Sequence, residues 1–127
     1  MSRVTIILFL ILTLSGCDAF TGEPFDNPAD PLGDSYKPSA PDLYGYLVGV
    51  RSVQIAMTNH ALLAEAYELQ RRAVNVDDYV RIAVVSIGAS AYVDTLVTPG
   101  YEYAYRARAF KGSKFGNWSP EFLVYVR

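Results

Sequence analysis

Catalysis needs nucleophiles, proton carriers or metal ligands, and this chain supplies few of them. It contains one His and one Cys among 127 residues. His60 follows Thr58-Asn59 in a polar stretch and reads as a solvated loop residue. A hydrolytic triad would need a Gly-flanked nucleophile as well as that His, and none stands in the chain. Gly112-Ser113-Lys114-Phe115-Gly116 lacks both the spacing and the following helix of a phosphate-binding loop. Asp77-Asp78 is a carboxylate pair, but it sits where a hairpin tip is predicted, with no concave surface to exclude water. Asp26, Asp30 and Asp34 are separated by four residues each and interrupted by prolines. A calcium loop instead places ligands at alternate positions, with Gly at the sharp turn and a terminal Glu. These acids read as solvated linker charges. The chain is therefore expected to be non-enzymatic, with no cofactor and no metal.

The one Cys has a different chemistry. Met1 to Cys17 opens with Arg3 and continues as an almost wholly apolar run, Val4 to Leu14. A bilayer span takes about 20 apolar residues, so this run is read as a signal peptide. Leu14-Ser15-Gly16-Cys17 then resembles the lipobox of bacterial lipoproteins, with Leu three before the Cys and small residues just ahead of it. The resemblance implies cleavage between Gly16 and Cys17 and diacylglycerol on the Cys17 thiol. Cysteine usage agrees, because a lone Cys can form neither an intrachain disulfide nor a metal cluster. Each buried methylene contributes about 0.8 kcal/mol, and one chain anchors only marginally, so stable attachment takes the two or three acyl chains of the lipoprotein type. A palmitate-class anchor in the bacterial cell envelope is the expected location. Asn117-Trp118-Ser119 matches a glycosylation sequon, which has little use in such a setting.

Residues 17–40 form the expected tether, between a signal at 1–16 and a folded domain at 41–127. Pro24, Pro28, Pro31 and Pro38 punctuate an acidic stretch, 18–40 holding five acids and one Lys. Such a composition buries too little to fold alone. Extended proline-rich backbone of this length reaches roughly 70 Å. Phe25-Asp26-Asn27-Pro28-Ala29-Asp30-Pro31 resembles the Asn-Pro-x-Asp-Pro segment that follows the lipid-bearing Cys in bacterial lipoproteins with fibronectin-like domains. Residues 41–127 carry nine bases and eight acids, which lacks the basic excess that nucleic acid requires.

Beyond residue 40 the period is that of strands. Leu43 to Val48, then Val53, Ile55 and Met57 alternating with Gln54, Ala56 and Thr58, give two strands separated by Gly49. Ala61 to Arg72 fits a short helix by the spacing of Leu62, Leu63, Ala66 and Leu69, or a strand over Tyr67 to Arg71, the reading adopted. Val74 to Asp78 turns, and Tyr79 to Ile87 returns. In the stretch from Ala91 to Ser119, Tyr103, Tyr105, Ala107 and Ala109 share one face of a strand, and Glu102, Ala104, Arg106 and Arg108 share the other. Pro99-Gly100 makes the corner before it. Phe122, Val124 and Val126 lie on one face of the last strand, and Trp118 is expected to open it and cover the core.

Leu96, Pro99, Gly100 and Tyr103 have the order of a tyrosine corner, in which the Tyr hydroxyl bonds back to upstream backbone. An antibody-type domain has its disulfide Cys two residues beyond that Tyr. Tyr105 stands there, so residues 38–127 resemble a fibronectin type III domain, from Pro38-Ser39-Ala40-Pro41 through Tyr105-Arg106-Ala107-Arg108-Ala109 to Trp118-Ser119. Met57 stands where that family usually has Trp. The resemblance implies an all-β, seven-stranded antiparallel, immunoglobulin-like sandwich.

Such a chain acts through its surface. Tyr44, Tyr46, Tyr101, Tyr125, Arg106 and Arg108 form the candidate binding face, since Tyr and Arg are enriched in binding hot spots. The first expectation is a non-enzymatic protein-interaction or structural module, with the membrane reached through the lipid on Cys17 and an envelope or extracellular protein as partner. The alternative is a carbohydrate-binding module. An aligned row of exposed aromatic rings favours sugar, and a compact apolar patch favours protein.

Overall fold

In the computed structural model the described residues are 29, 30, 32, 33 and 35–127. The expected signal peptide, Cys17 and the first part of the expected tether lie outside them. Eight strands follow in order. They are β1 (Asp42–Gly49), β2 (Ser52–Thr58), β3 (Ala66–Ala73), β4 (Val80–Ser86), β5 (Ala91–Asp94), β6 (Glu102–Lys111), β7 (Lys114–Phe115) and β8 (Phe122–Tyr125). All pairings are antiparallel and build two sheets, β1-β2-β5 and β4-β3-β6, with β7 and β8 both paired to β6. The expected seven strands are present, and the two-residue β7 is the addition.

The alternations translate directly into burial. Val53, Ile55 and Met57 from one sheet meet Tyr67, Leu69, Tyr105, Ala107 and Ala109 from the other in a single core. Ala104 is on the outer face, yet it is fully buried between Arg72 and Leu123 in register. The helix-or-strand stretch resolves as the loop 59–65 followed by β3. Asn59 Oδ1 accepts the Ala61 N–H at 2.8 Å, and Leu63 takes a left-handed φ of 56°, both of which keep a helix from starting there. At the β3–β4 turn, Asp77 Oδ1 accepts the Ala73 N–H at 2.6 Å and Asn75 takes φ 63°.

The folded body begins before residue 41. Tyr36 is 4% exposed, and its hydroxyl donates to the Leu62 carbonyl. Pro38 and Pro41 are fully buried. The Pro38 carbonyl runs so close to Gly116 that a Cβ there would come within 2.0 Å of it. Lys114 Nζ donates to the Gly33 carbonyl. Composition over 18–40 suggested a tether throughout, but its last residues are a strap across one end of the sandwich. One Tyr hydroxyl bond and two buried proline rings, which have no N–H to leave unpaired, fix it in place.

The two sheets are also joined by buried charge. Asp94, on β5, is 2% exposed. Its carboxylate accepts from Arg71 Nη1 at 2.9 and 2.8 Å, from the Tyr105 hydroxyl at 2.7 Å and from the Leu96 N–H at 3.0 Å. Arg71 comes from β3 and Tyr105 from β6. Burial lowers the pKa of the Arg71 guanidinium, but its bond to Asp94 and that carboxylate's charge more than reverse this, so it lies above its ordinary value. Burial pushes the Tyr105 phenol far up, and the Asp94 hydrogen bond and charge push it further.

Two outcomes follow. Removing one member of a buried pair leaves the other charge stranded, so Asp94→Ala should lower stability by about 3 kcal/mol in urea unfolding. Because the folded Tyr105 pKa is raised, its contribution is complete below the unfolded value of about 10 and is lost as pH rises above it. Wild-type stability should therefore fall more steeply between about pH 10 and pH 12 than that of Tyr105→Phe.

Candidate functional site

Strand β6 turns Arg106 and Arg108 to the outer face of the larger sheet, opposite Gln70 and Glu68 of β3. Arg106 Nε and Nη2 donate to Gln70 Oε1 at 2.9 and 2.8 Å. Gln70 Nε2 donates to Glu68 Oε1 at 2.8 Å, and Glu68 Oε2 accepts from Arg108 Nη2 at 3.1 Å. The guanidinium planes are then capped by rings. Arg106 lies 4.0 Å from the Tyr79 ring centre and 4.1 Å from that of Trp118. Arg108 lies 4.4 Å from the Trp118 ring and 4.1 Å from that of Phe115. Arg72 extends the stack over Tyr79 at 5.3 Å.

Trp118 thus covers the outer face of this sheet and not the core. The reason is local. Ser119 pairs with Ala107 through its N–H at 2.8 Å, and its Oγ accepts the Ala107 N–H at 3.0 Å. Those bonds bury Ser119 and turn the preceding indole onto the guanidiniums. The final strand starts later, at Phe122. The ladder was not anticipated from the sequence. Its signal was there in two Arg residues spaced by two on one strand, with a Trp shortly beyond.

The six candidate binding residues do not share a face. Arg106, Arg108 and Tyr125 lie on the outer side of the larger sheet, where Tyr125 pairs with Glu102. Both Arg side chains are already held by the ladder. Tyr44 and Tyr46 lie on the outer side of β1, in the opposite sheet. Tyr101 sits in the corner before β6, with its ring 6.3 Å from that of Tyr103. Sequence alone placed Tyr and Arg on outward positions, but which sheet each strand joins is a property of topology.

At the corner, Tyr103 Oη accepts the Thr98 N–H at 2.8 Å, and Gly100 takes φ 95°. Leu96 is 78% exposed, whereas Val97 is 1% exposed. Val97 therefore supplies the buried apolar side chain of this corner, because Asp94 holds the Leu96 N–H and turns that side chain outward. His60 bonds to Asp42 Oδ2 at 2.7 Å, tying the loop after β2 to the start of β1, with both side chains exposed. A shallow depression of about 350 Å³ at the β3–β4 turn is lined by Arg72, Asn75, Val76, Asp77 and Asp78. Its Asp77 is committed to capping the turn. Among the described residues no group of three or more His, Cys, Asp or Glu is placed to hold a metal.

The strand order, β1-β2-β5 facing β4-β3-β6 with β8 on β6, and the bonded Tyr103 corner decide the architecture. The fold is fibronectin type III-like. No protein-family model matches the chain, and no curated protein does either. Solved structures do. One is a fibronectin type III-like protein from Clostridium thermocellum, with 25% identity, a TM-score of 0.58 and coverage of 71% of this chain and 95% of that one. A structure described as a myokine has 14% identity and a TM-score of 0.62, covering 70% of this chain and 97% of that one. A β-1,2-glucanase from Parabacteroides distasonis has 20% identity and a TM-score of 0.60 over 69% of this chain, but the match is only 12% of the glucanase.

The ladder yields its own prediction. Trp118→Ala removes two cation–π contacts, with Arg106 and Arg108, and should cost about 2 kcal/mol. The check is urea unfolding followed by circular dichroism, since the variant loses the chain's one Trp fluorophore.

Proposed function

We propose that the chain is an envelope lipoprotein, anchored through acyl chains on Cys17, whose fibronectin type III-like sandwich is a non-enzymatic interaction or structural module. The observation that carries the reading is where the chemistry-bearing side chains are spent. Asp94, Arg71 and Tyr105 hold the sheets together, and Glu68, Arg106 and Arg108 hold the ladder. Asp77 caps a turn, and His60 closes onto Asp42. What such a molecule offers a partner is surface. The neighbours that the chain matches over nearly their whole length are small proteins of the same fold, which fits a stand-alone module. The strap of Tyr36 and Pro38 brings the chain in at the end formed by Leu62 and Gly116. An anchored sandwich would then hold its Pro99-Gly100 corner away from the membrane.

Saccharide binding is the second reading, favoured by one observation. Tyr44 and Tyr46 are aligned on one outward row of β1, 58% and 52% exposed. A sandwich of this fold also occurs as a small part of a β-1,2-glucanase.

The anchor is tested by intact mass of the native protein extracted from its own membranes. Cleavage before Cys17 with added acyl mass is the expected result, and Cys17→Ser should abolish both. An unmodified, soluble mature chain would reject the anchor while leaving the fold untouched. Cross-linking and pull-down from envelope extracts then reads the partner.

A further inference from the structure

The two outer faces of the sandwich are unlike. The larger sheet is covered by its Arg–aromatic ladder, whereas the outer face of β1-β2-β5 has no cover among the described residues. Register defines that face. Tyr44 lies beside Ala56, which lies beside Ala91, and Tyr46 lies beside Gln54, which lies beside Val93. Tyr44, Tyr46, Val48 and Val93 are 58%, 52%, 45% and 43% exposed. Asp42 stands at the rim, bonded to His60. Inside that rim the outward positions of all three strands carry no Lys, Arg, Asp or Glu.

We infer that this face is a platform for a neutral polysaccharide, stacked on Tyr44 and Tyr46. The inference rests on reading the chain as a non-enzymatic binding module. Three features select the ligand class. Two tyrosines one residue apart on a strand stand about 6.7 Å from each other, side by side along one line. A pyranose ring has a C–H face that stacks on an aromatic ring and an equatorial edge of hydroxyls that needs hydrogen bonds. The Tyr phenols and the Gln54 amide supply those bonds, and the small Ala56 and Ala91 beside Tyr44 leave its ring approachable.

The absence of charge is the second feature. A uronic or sulfated glycan gains nothing from an uncharged face and loses hydration there, so a neutral polymer fits. Size is the third. Three strands of eight, seven and four residues span at most roughly 25 by 14 Å, under about 350 Å². A stable protein interface takes about 800 Å² from each partner. A second copy or a protein partner would need more surface than this face provides.

The platform is also held rigid from beneath. Gly45, between the two tyrosines, points inward, where a Cβ would come within 2.4 Å of the Gln54 carbonyl and 3.3 Å of the Phe122 ring. Strand β1 is thus pressed onto β2 and β8, and the rings are presented without a prior rearrangement, which limits the ordering cost of binding.

The test is affinity electrophoresis of the full chain, extracted in a sugar-free zwitterionic detergent. The gels carry a soluble neutral β-glucan, a neutral galactomannan or the acidic polymer alginate. Retardation by at least one neutral polymer and none by alginate is expected. Tyr44→Ala and Tyr46→Ala should each weaken retardation by about tenfold, and the double variant should abolish it. Leu123→Ala, on the opposite sheet, should leave it unchanged. Circular dichroism of the Tyr variants should match wild type, since both rings are exposed. No retardation by either neutral polymer, or retardation indifferent to both tyrosines, overturns the platform. So does a dimer that dissociates in the Tyr variants by analytical ultracentrifugation, which would assign the face to a second copy. The lipid on Cys17 is read by mass in the same preparation, so failure of the platform and failure of the anchor are separate results.

Discussion

The sandwich depends on a carboxylate that has no water to turn to. Asp94 comes from the smaller sheet, and two of its ligands, Arg71 and Tyr105, come from adjacent strands of the larger one. Desolvating a carboxylate and a guanidinium costs several kcal/mol per ion, which their attraction offsets only when the remaining lone pairs are satisfied. Here they are, by a phenol and by the Leu96 amide. Such a cluster adds little to stability compared with apolar side chains of equal volume, but it is intolerant of misplacement. A slip of one residue in β5 would point Asp94 at solvent and bring Val93 inward. We read the cluster as the device that fixes how the two sheets face each other, with the apolar contacts around it supplying most of the free energy.

That fixed relation lets each sheet treat its outer face differently. The larger sheet places basic residues at Arg72, Arg106 and Arg108 and holds them where they stand, Arg106 on the Gln70 amide. Glu68 and Glu121 take two of the charges, and rings cover the planes of all three. Its polar groups face each other, so little is offered to a partner. The smaller sheet carries only the rim charge of Asp42 on its outer face, already bonded to His60, and its Tyr44, Tyr46 and Val93 stand exposed. The contrast arises because the segment from β6 to β8 wraps the larger sheet with Trp118, while β1 and β2 are joined by a tight turn that brings nothing back.

Much of the architecture was legible because a strand's period is two. Val53, Ile55 and Met57, and Tyr103, Tyr105, Ala107 and Ala109, declare their faces without a structure, and Pro99-Gly100 declares a corner. What resisted reading was whatever depends on a second strand. Arg106 and Tyr44 are both outward residues, and only strand order shows that they look in opposite directions. Trp118 is apolar enough to be assigned to the core, but the bonds that turn it outward are made by Ser119 to a strand about twelve residues away. Leu96 and Val97 are adjacent apolar residues, and the choice between them is made by Asp94 capturing the amide of one. Tyr36 was concealed by averaging, since a single buried ring suffices to dock a segment whose composition is otherwise that of a linker.

The period that makes the sequence readable also couples inside to outside. On β1 the inward row is Leu43, Gly45 and Leu47, and the outward row is Tyr44, Tyr46 and Val48. Gly45 is needed because a Cβ there would meet the Gln54 carbonyl of β2 at 2.4 Å, with the Phe122 ring of the opposite sheet next at 3.3 Å, and that close approach sets the plane in which the flanking tyrosines stand. A larger residue at 45 would lift the strand and tilt both rings, though neither ring touches the core. The glycine is therefore a constraint on display as much as on packing. It costs backbone entropy in a strand, and sequence inspection alone would class it as a local weakness. It joins the packing of β1 on β2 and β8 to the outer face that no other described residue covers.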